Sequence, residues 1–197
     1  MNRELLKQNF ENHGFATKFF DTAKEAADYL SQQIQGTSVA LGGSVTLTQM
    51  GIFDLLAQNN TVVSHGRIPG SPARELARHA KIYITSANGV SETGELVNID
   101  GTGNRVANTL FGPEKVYFVV GKNKIAPDLH QALYRAKNIA APKNAQRLHC
   151  DTPCAVKGDK CYNCNSPQRI CKATVILERP TGGVPAEILF VEEELGY

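Results

Sequence analysis

Apolar residues along this chain fall into two kinds of run, short continuous stretches and longer stretches with helical spacing. The short stretches predict buried strands, because a strand that is covered on both faces is apolar at nearly every position. The clearest is Val116–Val120, in which all five residues are apolar or aromatic. The other predicted strands are Val39–Leu41, Thr61–Val63, Lys81–Thr85, Glu95–Ile99, Ala173–Leu177 and Ala186–Val191.

Stretches with helical spacing separate these strands. Thr22-Ala-Lys-Glu25 matches a capping box, and the apolar residues after it recur at helical spacing as far as Gly36. Further helices are predicted over Thr46–Ala57, after Ser71-Pro72 and after Pro127. Strand–loop–helix units in this order predict an α/β domain with a largely parallel sheet sandwiched by helices.

Length and charge narrow the class of protein. A chain of 197 residues fits one domain over residues 1–197 and can bury a sizeable core. The net charge is only +2 and there is no run of Lys or Arg, which disfavours a nucleic-acid partner. The apolar runs are too short to cross a bilayer, and the residues from Met1 do not resemble a signal peptide. We therefore expect a cytoplasmic protein without a membrane span.

Two glycine-containing loops stand between a predicted strand and a predicted helix. The first contains Gly42, Gly43 and Ser44, and the second is Asp100-Gly101-Thr102-Gly103-Asn104-Arg105. Ligands of open α/β domains bind at this position, where backbone N–H groups and side chains can hold an anion. Neither loop matches a P-loop or a dinucleotide fingerprint, and either could be an ordinary turn. Together they predict a site for an anionic small molecule.

Three further side chains are candidates for this site. Glu92 precedes the second loop and could act as a general base or nucleophile, or it could be a solvated turn residue. Lys124 follows the strand Val116–Val120 and could face the same cleft or the solvent. Asp100 could orient Arg105 or cap the helix that follows.

All five cysteines of the chain lie within residues 150–171. The last four, Cys154, Cys161, Cys164 and Cys171, have the symmetric spacing Cys-x6-Cys-x2-Cys-x6-Cys. Four thiolates suit either tetrahedral zinc or an iron–sulfur cluster, and the spacing does not choose between them. The segment 150–171 is thus interpreted as a metal-binding loop inserted into the domain near its C-terminus.

Other interpretations of the cysteines stay open. Disulfides are disfavoured in a reducing compartment, whereas Cys161 and Cys164 could form a thiol redox pair. All of them could also be free thiols in a loop. Cys150 is either a spare ligand or an ordinary loop residue.

Several segments resemble the LUD (lactate-utilisation) domain family, in particular a group of single-domain members with a cysteine-rich loop. The resemblance extends from about residue 5 to the C-terminus. Its segments are Gly42–Leu47, Glu92–Val106, Phe111-Gly112-Pro113, Val120–Lys124, Ala140–Ala145 and Thr152–Cys171.

The resemblance implies a fold similar to sugar-phosphate isomerase and CoA-transferase-like domains. It also implies a role near lactate oxidation, where LUD proteins work beside iron–sulfur oxidoreductase subunits. Folds of this kind often self-associate, so a homo-oligomer is a further expectation. Three functions follow as hypotheses. The first is an accessory or catalytic subunit in the oxidation of lactate or another 2-hydroxy acid. The second is an acyl- or CoA-transferase or isomerase that uses Glu92, and the third is a zinc-stabilised sensor or assembly module.

Overall fold

The computed structural model describes residues 1–64, 67 and 71–197. Ten strands lie within those residues. They are β1 (Ala16–Phe20), β2 (Ser38–Leu41), β3 (Thr61–Ser64), β4 (Ile82–Thr85), β5 (Gly89–Ser91), β6 (Leu96–Asp100), β7 (Lys115–Gly121), β8 (Ile125–Ala126), β9 (Ala173–Leu177) and β10 (Ala186–Val191).

Two sheets are built from these strands. The main sheet has the order β1-β10-β7-β4-β2-β3, and all of its pairings are parallel. A smaller mixed sheet has the order β8-β5-β6-β9, in which β6 pairs antiparallel with both β5 and β9. The predicted fold class, an α/β domain with a largely parallel sheet between helices, is confirmed.

Helices connect the strands and cover the main sheet. Those in the described part of the chain are α1 (Arg3–Asn12), α2 (Ala23–Gln33), α3 (Val45–Gln49), α4 (Ile52–Leu56), α5 (Ser71–Arg78), α6 (Asn104–Leu110), α7 (Leu129–Arg135), α8 (Ala141–Arg147) and α9 (Pro153–Lys157). A 3-10 turn, Lys122–Lys124, follows β7, and a π-helical turn, Ala136–Ala140, joins α7 to α8.

Successive side chains of β7 point to opposite faces of the main sheet, and both faces are covered by apolar residues. Phe118 packs in the core that contains Phe10 of α1, whereas Val119 packs with Leu30 of α2 on the opposite face. All four side chains are completely buried. A central strand covered on both faces has no polar side, which explains the continuous apolar run in the sequence.

Helix α2 begins as its sequence predicts. The Thr22 side chain accepts a hydrogen bond from the backbone N–H of Glu25, and the Glu25 carboxylate accepts one from the backbone N–H of Thr22. This reciprocal capping box satisfies N–H groups that have no partner within the helix.

One sequence prediction about an element is wrong. The single helix predicted over Thr46–Ala57 is instead the pair α3 and α4, separated at Gly51, whose φ of 63° is left-handed and ends the first helix. The strands predicted at Glu95–Ile99 and Ala173–Leu177 are confirmed as β6 and β9, and they lie in the second sheet. They pair antiparallel with each other. The sequence did not indicate this pairing, because hydrophobic runs reveal burial and not the identity of the partner strand.

The cysteine-containing segment 150–171 lies between α8 and β9, and α9 is its one regular element within the described residues. Its last residues run along the second glycine loop. The backbone N–H of Lys172 donates to the carbonyl of Asp100 at 3.0 Å. A Cβ on Gly101 would lie 2.7 Å from the carbonyl oxygen of Ile170, so only glycine permits this close approach.

Candidate functional site

A cavity of about 270 Å³ lies at the carboxyl ends of three neighbouring strands of the main sheet, β2, β4 and β7. The loop after β6 and the side of α8 complete its wall. In a parallel sheet with helices on both faces, this edge is where loops diverge and leave room for a ligand. The volume is just below the roughly 300–1,000 Å³ typical of pockets for drug-sized molecules, so it suits a small metabolite.

The first glycine loop supplies one side of the cavity. Gly43 and Ser44 line it, and Ser44 precedes α3 without making a capping hydrogen bond to that helix. Gly42 does not line the cavity. A Cβ at Gly42 would lie 2.4 Å from the Tyr83 hydroxyl oxygen and 2.8 Å from Thr85 Oγ1, so this glycine allows β2 to pack against β4.

The second loop supplies the facing side. Its lining residues are Asp100, Gly101, Thr102, Asn104 and Arg105, whereas Gly103 lies outside the cavity with a left-handed φ of 87°. The two predicted loops therefore meet at one cavity, although β2 and β6 belong to different sheets.

Asp100 organises the second loop from within. Its carboxylate accepts hydrogen bonds from the backbone N–H groups of Thr102 at 3.1 Å, Arg105 at 3.0 Å and Val106 at 3.3 Å. Burial acts to raise the pKa of Asp100. The Arg105 charge and the backbone N–H groups outweigh that effect, so the pKa lies below its ordinary value. Asp100 is thus an ionised cap of α6, and it takes up N–H groups that were expected to face a ligand.

Arg105 is held between Asp100 and the loop backbone. Its Nη2 donates to the carbonyl of Ile99 at 2.6 Å, and its Nε lies 3.7 Å from Asp100 Oδ2. The guanidinium is only partly buried and lines the cavity. Asp100 therefore orients Arg105 as well as capping α6, and both expected roles are present together.

Lys124 lies at the end of the 3-10 turn after β7 and lines the same cavity. Only 4% of the residue is exposed. Its Nζ donates to Ser86 Oγ at 2.7 Å and to Thr46 Oγ1 at 2.8 Å. Burial, with smaller contributions from the Arg135 and Arg105 charges, lowers the pKa of Lys124 to about 7.

A buried guanidinium lies close behind this lysine. Arg135 of α7 donates to the backbone carbonyls of Asn123, at 2.8 Å, and of Asn88 and Tyr197. Burial lowers its pKa to about 10, so Arg135 stays charged at neutral pH. Its hydrogen bonds join three loops around the cavity and add positive potential beneath Lys124.

Two exposed arginines extend the positive charge toward the opening. Arg74 of α5 and Arg147 of α8 both line the cavity. Among the described lining residues, four are basic and one, Asp100, is acidic. Since that carboxylate is already neutralised by Arg105 and backbone N–H groups, the cavity favours an anion.

Comparison with known proteins places the chain in a family. The family model for the LUD domain matches residues 3–191. The chain belongs to the LUD domain family. None of the curated proteins matches the sequence.

The LUD-domain chain is also similar to proteins of solved structure. A DUF162 family protein from Deinococcus radiodurans is 12% identical, with a TM-score of 0.55, and the match covers 95% of this chain and 94% of that one. Ribose 5-phosphate isomerase A from Neisseria gonorrhoeae is 15% identical over 54% of each chain, with a TM-score of 0.36. The eIF2B beta subunit from Chaetomium thermophilum is 14% identical over 55% of this chain and 44% of that one, with a TM-score of 0.37. The first of these likenesses supports the fold.

Glu92 lies away from the cavity of this LUD domain. It occupies the turn between β5 and β6, where its backbone N–H donates to Ala126 and its carbonyl accepts from Asn9 Nδ2 at 2.6 Å. It is not among the lining residues. A catalytic role for Glu92 stays a prediction, and the cavity geometry lends it no support.

The cysteines of the LUD domain do not form a ready-made metal site. All five are free thiols with intermediate exposure. The backbone N–H of Asn163 donates to Cys161 Sγ at 3.4 Å. Nevertheless, within residues 1–64, 67 and 71–197, no three His, Cys, Asp or Glu side chains are placed to share a metal ion. The thiols as positioned here do not fit a four-ligand zinc or iron–sulfur site.

Several lining residues were missed by sequence analysis. Ser86 and Asn88 lie in the short loop after β4, so the search for polar residues at strand ends that selected the glycine loops could have found them as well. Arg74 and Arg147 lie on helices and carry no local signal, because their contribution depends on how α5 and α8 pack.

No helix in the described part of the LUD domain is long and apolar enough to span a membrane.

Proposed function

We propose that this LUD-domain protein binds a small organic anion in the cavity between its two glycine loops. The observation that carries the proposal is the convergence of both loops, Lys124 and three arginines on one small cavity. Arginine holds carboxylates and phosphates through paired hydrogen bonds, and the exposed Arg74 and Arg147 can reorient toward a ligand.

The family points to 2-hydroxy and 2-oxo acids, such as lactate and pyruvate, as the first ligands to test. Both place a carboxylate beside a polar carbon, and both are small enough for a cavity of about 270 Å³. The wider proposal is an accessory or catalytic subunit in the oxidation of such acids, working beside iron–sulfur oxidoreductase subunits. That wider role rests on the family and not on the cavity.

Calorimetry with lactate, pyruvate and inorganic phosphate at constant ionic strength tests the binding proposal. Arg147→Gln should raise the dissociation constant of the bound anion about fivefold, as expected for the loss of an exposed ion pair. Lys143→Gln is the matched control, because Lys143 lies on the same helix with the same charge but outside the cavity lining. Equal weakening by both variants, or no binding of any anion, would contradict the proposal.

A metal or cluster at Cys154, Cys161, Cys164 and Cys171 is a separate proposal. Its support is the cysteine spacing and the N–H group that faces Cys161 Sγ, and it requires the segment 150–171 to rearrange around the ion. Protein purified without oxygen and assayed for iron, sulfide and zinc decides it. Iron with sulfide supports the redox role, zinc alone supports a structural loop, and protein without either contradicts both.

A further inference from the structure

The hydrogen bonds of Lys124 determine which form of its amine the site accommodates. Ser86 Oγ donates its own proton to the carbonyl of Val119 at 2.6 Å, and Thr46 Oγ1 can donate to the carbonyl of Leu195 at 3.2 Å. With their protons used in this way, both hydroxyls present lone pairs to Lys124 Nζ. The lysine therefore has two hydrogen-bond acceptors.

Two acceptors match the two protons of a neutral amine and leave its lone pair as the remaining position on nitrogen. An ammonium group would carry a third proton without a partner among these contacts. None of the described carboxylates forms an ion pair with Nζ, and Asp100 is held by Arg105 and backbone N–H groups. Arg105 and Arg135 add positive charge nearby. Burial and the neighbouring positive charges favour the nucleophilic neutral form, and the two acceptors orient it.

We propose that Lys124 forms an imine with the carbonyl group of a 2-oxo acid bound in the cavity. This inference rests on the proposed function, because the anion must first bind. The cavity holds the two complementary parts, guanidinium groups for the carboxylate and an amine for the adjacent carbonyl carbon. Lactate lacks the carbonyl, so it can occupy the site but cannot react.

The step balances without an oxidant or reductant. The lone pair of Nζ attacks the carbonyl carbon, a C–N bond forms, and the carbonyl π electrons move to oxygen. Two protons pass from nitrogen to oxygen, the C–O bond breaks, and water leaves. The products are an imine and one water molecule. Ser86 and Thr46 accept from Nζ before the attack and orient the amine.

Trapping the full-length protein with pyruvate and cyanoborohydride tests the step. Reduction converts the imine into a stable secondary amine, which intact mass and peptide mapping locate. At pH 7.5 Lys124 should be labelled roughly several hundredfold faster than exposed lysines, because a pKa of about 7 instead of 10.5 leaves far more neutral amine. Excess lactate should slow this labelling without forming an adduct.

Lys124→Arg should abolish the specific adduct, whereas Lys122→Arg, in the same turn but exposed, should keep it. If Lys124→Arg fails to fold, the pH dependence of trapping in the unmodified protein serves instead, with a half-point near pH 7 expected for Lys124. Labelling that spreads over surface lysines, or a half-point near 10, would overturn the inference. If calorimetry shows pyruvate binding and no adduct forms, the imine is wrong while the binding function stands. Absence of pyruvate binding would remove the imine, and absence of binding by lactate, pyruvate and phosphate alike would remove the binding function as well.

Discussion

The two parts of this molecule that sequence analysis marked for chemistry, the two-loop cavity and the cysteine segment 150–171, are built in different ways. The cavity loops follow buried strands, so the packing of those strands determines where Gly43, Ser44 and Arg105 lie. The cysteines lie in a polar segment with one short helix, and among the described thiols only that of Cys171 packs against an apolar core cluster. A site on a packed framework exists before its ligand, whereas a site on an exposed loop depends on the ligand to assemble it.

The largest expected effect concerns the cavity and comes from the burial of a charged Lys124, which lowers the free energy of unfolding. Lys124→Met removes this charge, so the variant should be more stable than the natural protein by about 4 kcal/mol at pH 6. The unfolded chain binds the proton up to about pH 10.5, but the folded protein releases it near pH 7. The natural protein should therefore gain stability as pH rises from 7 to 10.5, and the difference between the two proteins should shrink.

Chemical denaturation of both proteins between pH 6 and 10 measures this difference, and the comparison cancels titrations that they share. The Arg135 charge acts on Lys124, and Arg135 stays charged throughout most of this range because its pKa is about 10, so it does not account for the change. A stability difference that does not depend on pH would mean that burial does not lower the pKa of Lys124.

A second experiment separates the framework from the ligand-facing surface within one loop. Gly42→Ala should destabilise the fold by about 2 kcal/mol, because the new methyl group would overlap Tyr83 and Thr85 on β4. Gly43→Ala is its neighbour and control, since no heavy atom lies within 4 Å of the added carbon. Urea denaturation of both variants measures the contrast. Equal losses at Gly42 and Gly43 would show that the loop does not pack as described.

The smallest effect is expected in the cysteine segment. Cys164→Ala should change global stability by less than about 0.5 kcal/mol, since partly exposed side chains outside the core contribute little. Hydrogen exchange should instead increase within residues 150–171 and leave the strands of the main sheet protected. Global unfolding of this variant would show that the segment is part of the framework and not an appendage to it.

Much of the fold could be predicted because burial leaves a direct record in the sequence. Val116–Val120 lies within β7, and the predicted strands Ala173–Leu177 and Ala186–Val191 coincide with β9 and β10. The choice of partner strand leaves no such signal in the sequence, so the antiparallel pairings of the second sheet were not predicted. Gly51, whose left-handed conformation divides the predicted helix Thr46–Ala57, carries a local signal that the apolar pattern around it concealed.

The sequence by itself determined seven of the ten described strands, the capping box, the α/β class, the family and the two loops, because each depends on neighbours along the chain. Only the tertiary structure decided that both loops reach one cavity, that Glu92 lies outside it, and that Lys124 lines it beside two hydroxyl groups. The physical reason is that a side chain's ionisation and reactivity depend on its desolvation and on charges that folding brings close, and residue spacing does not encode these.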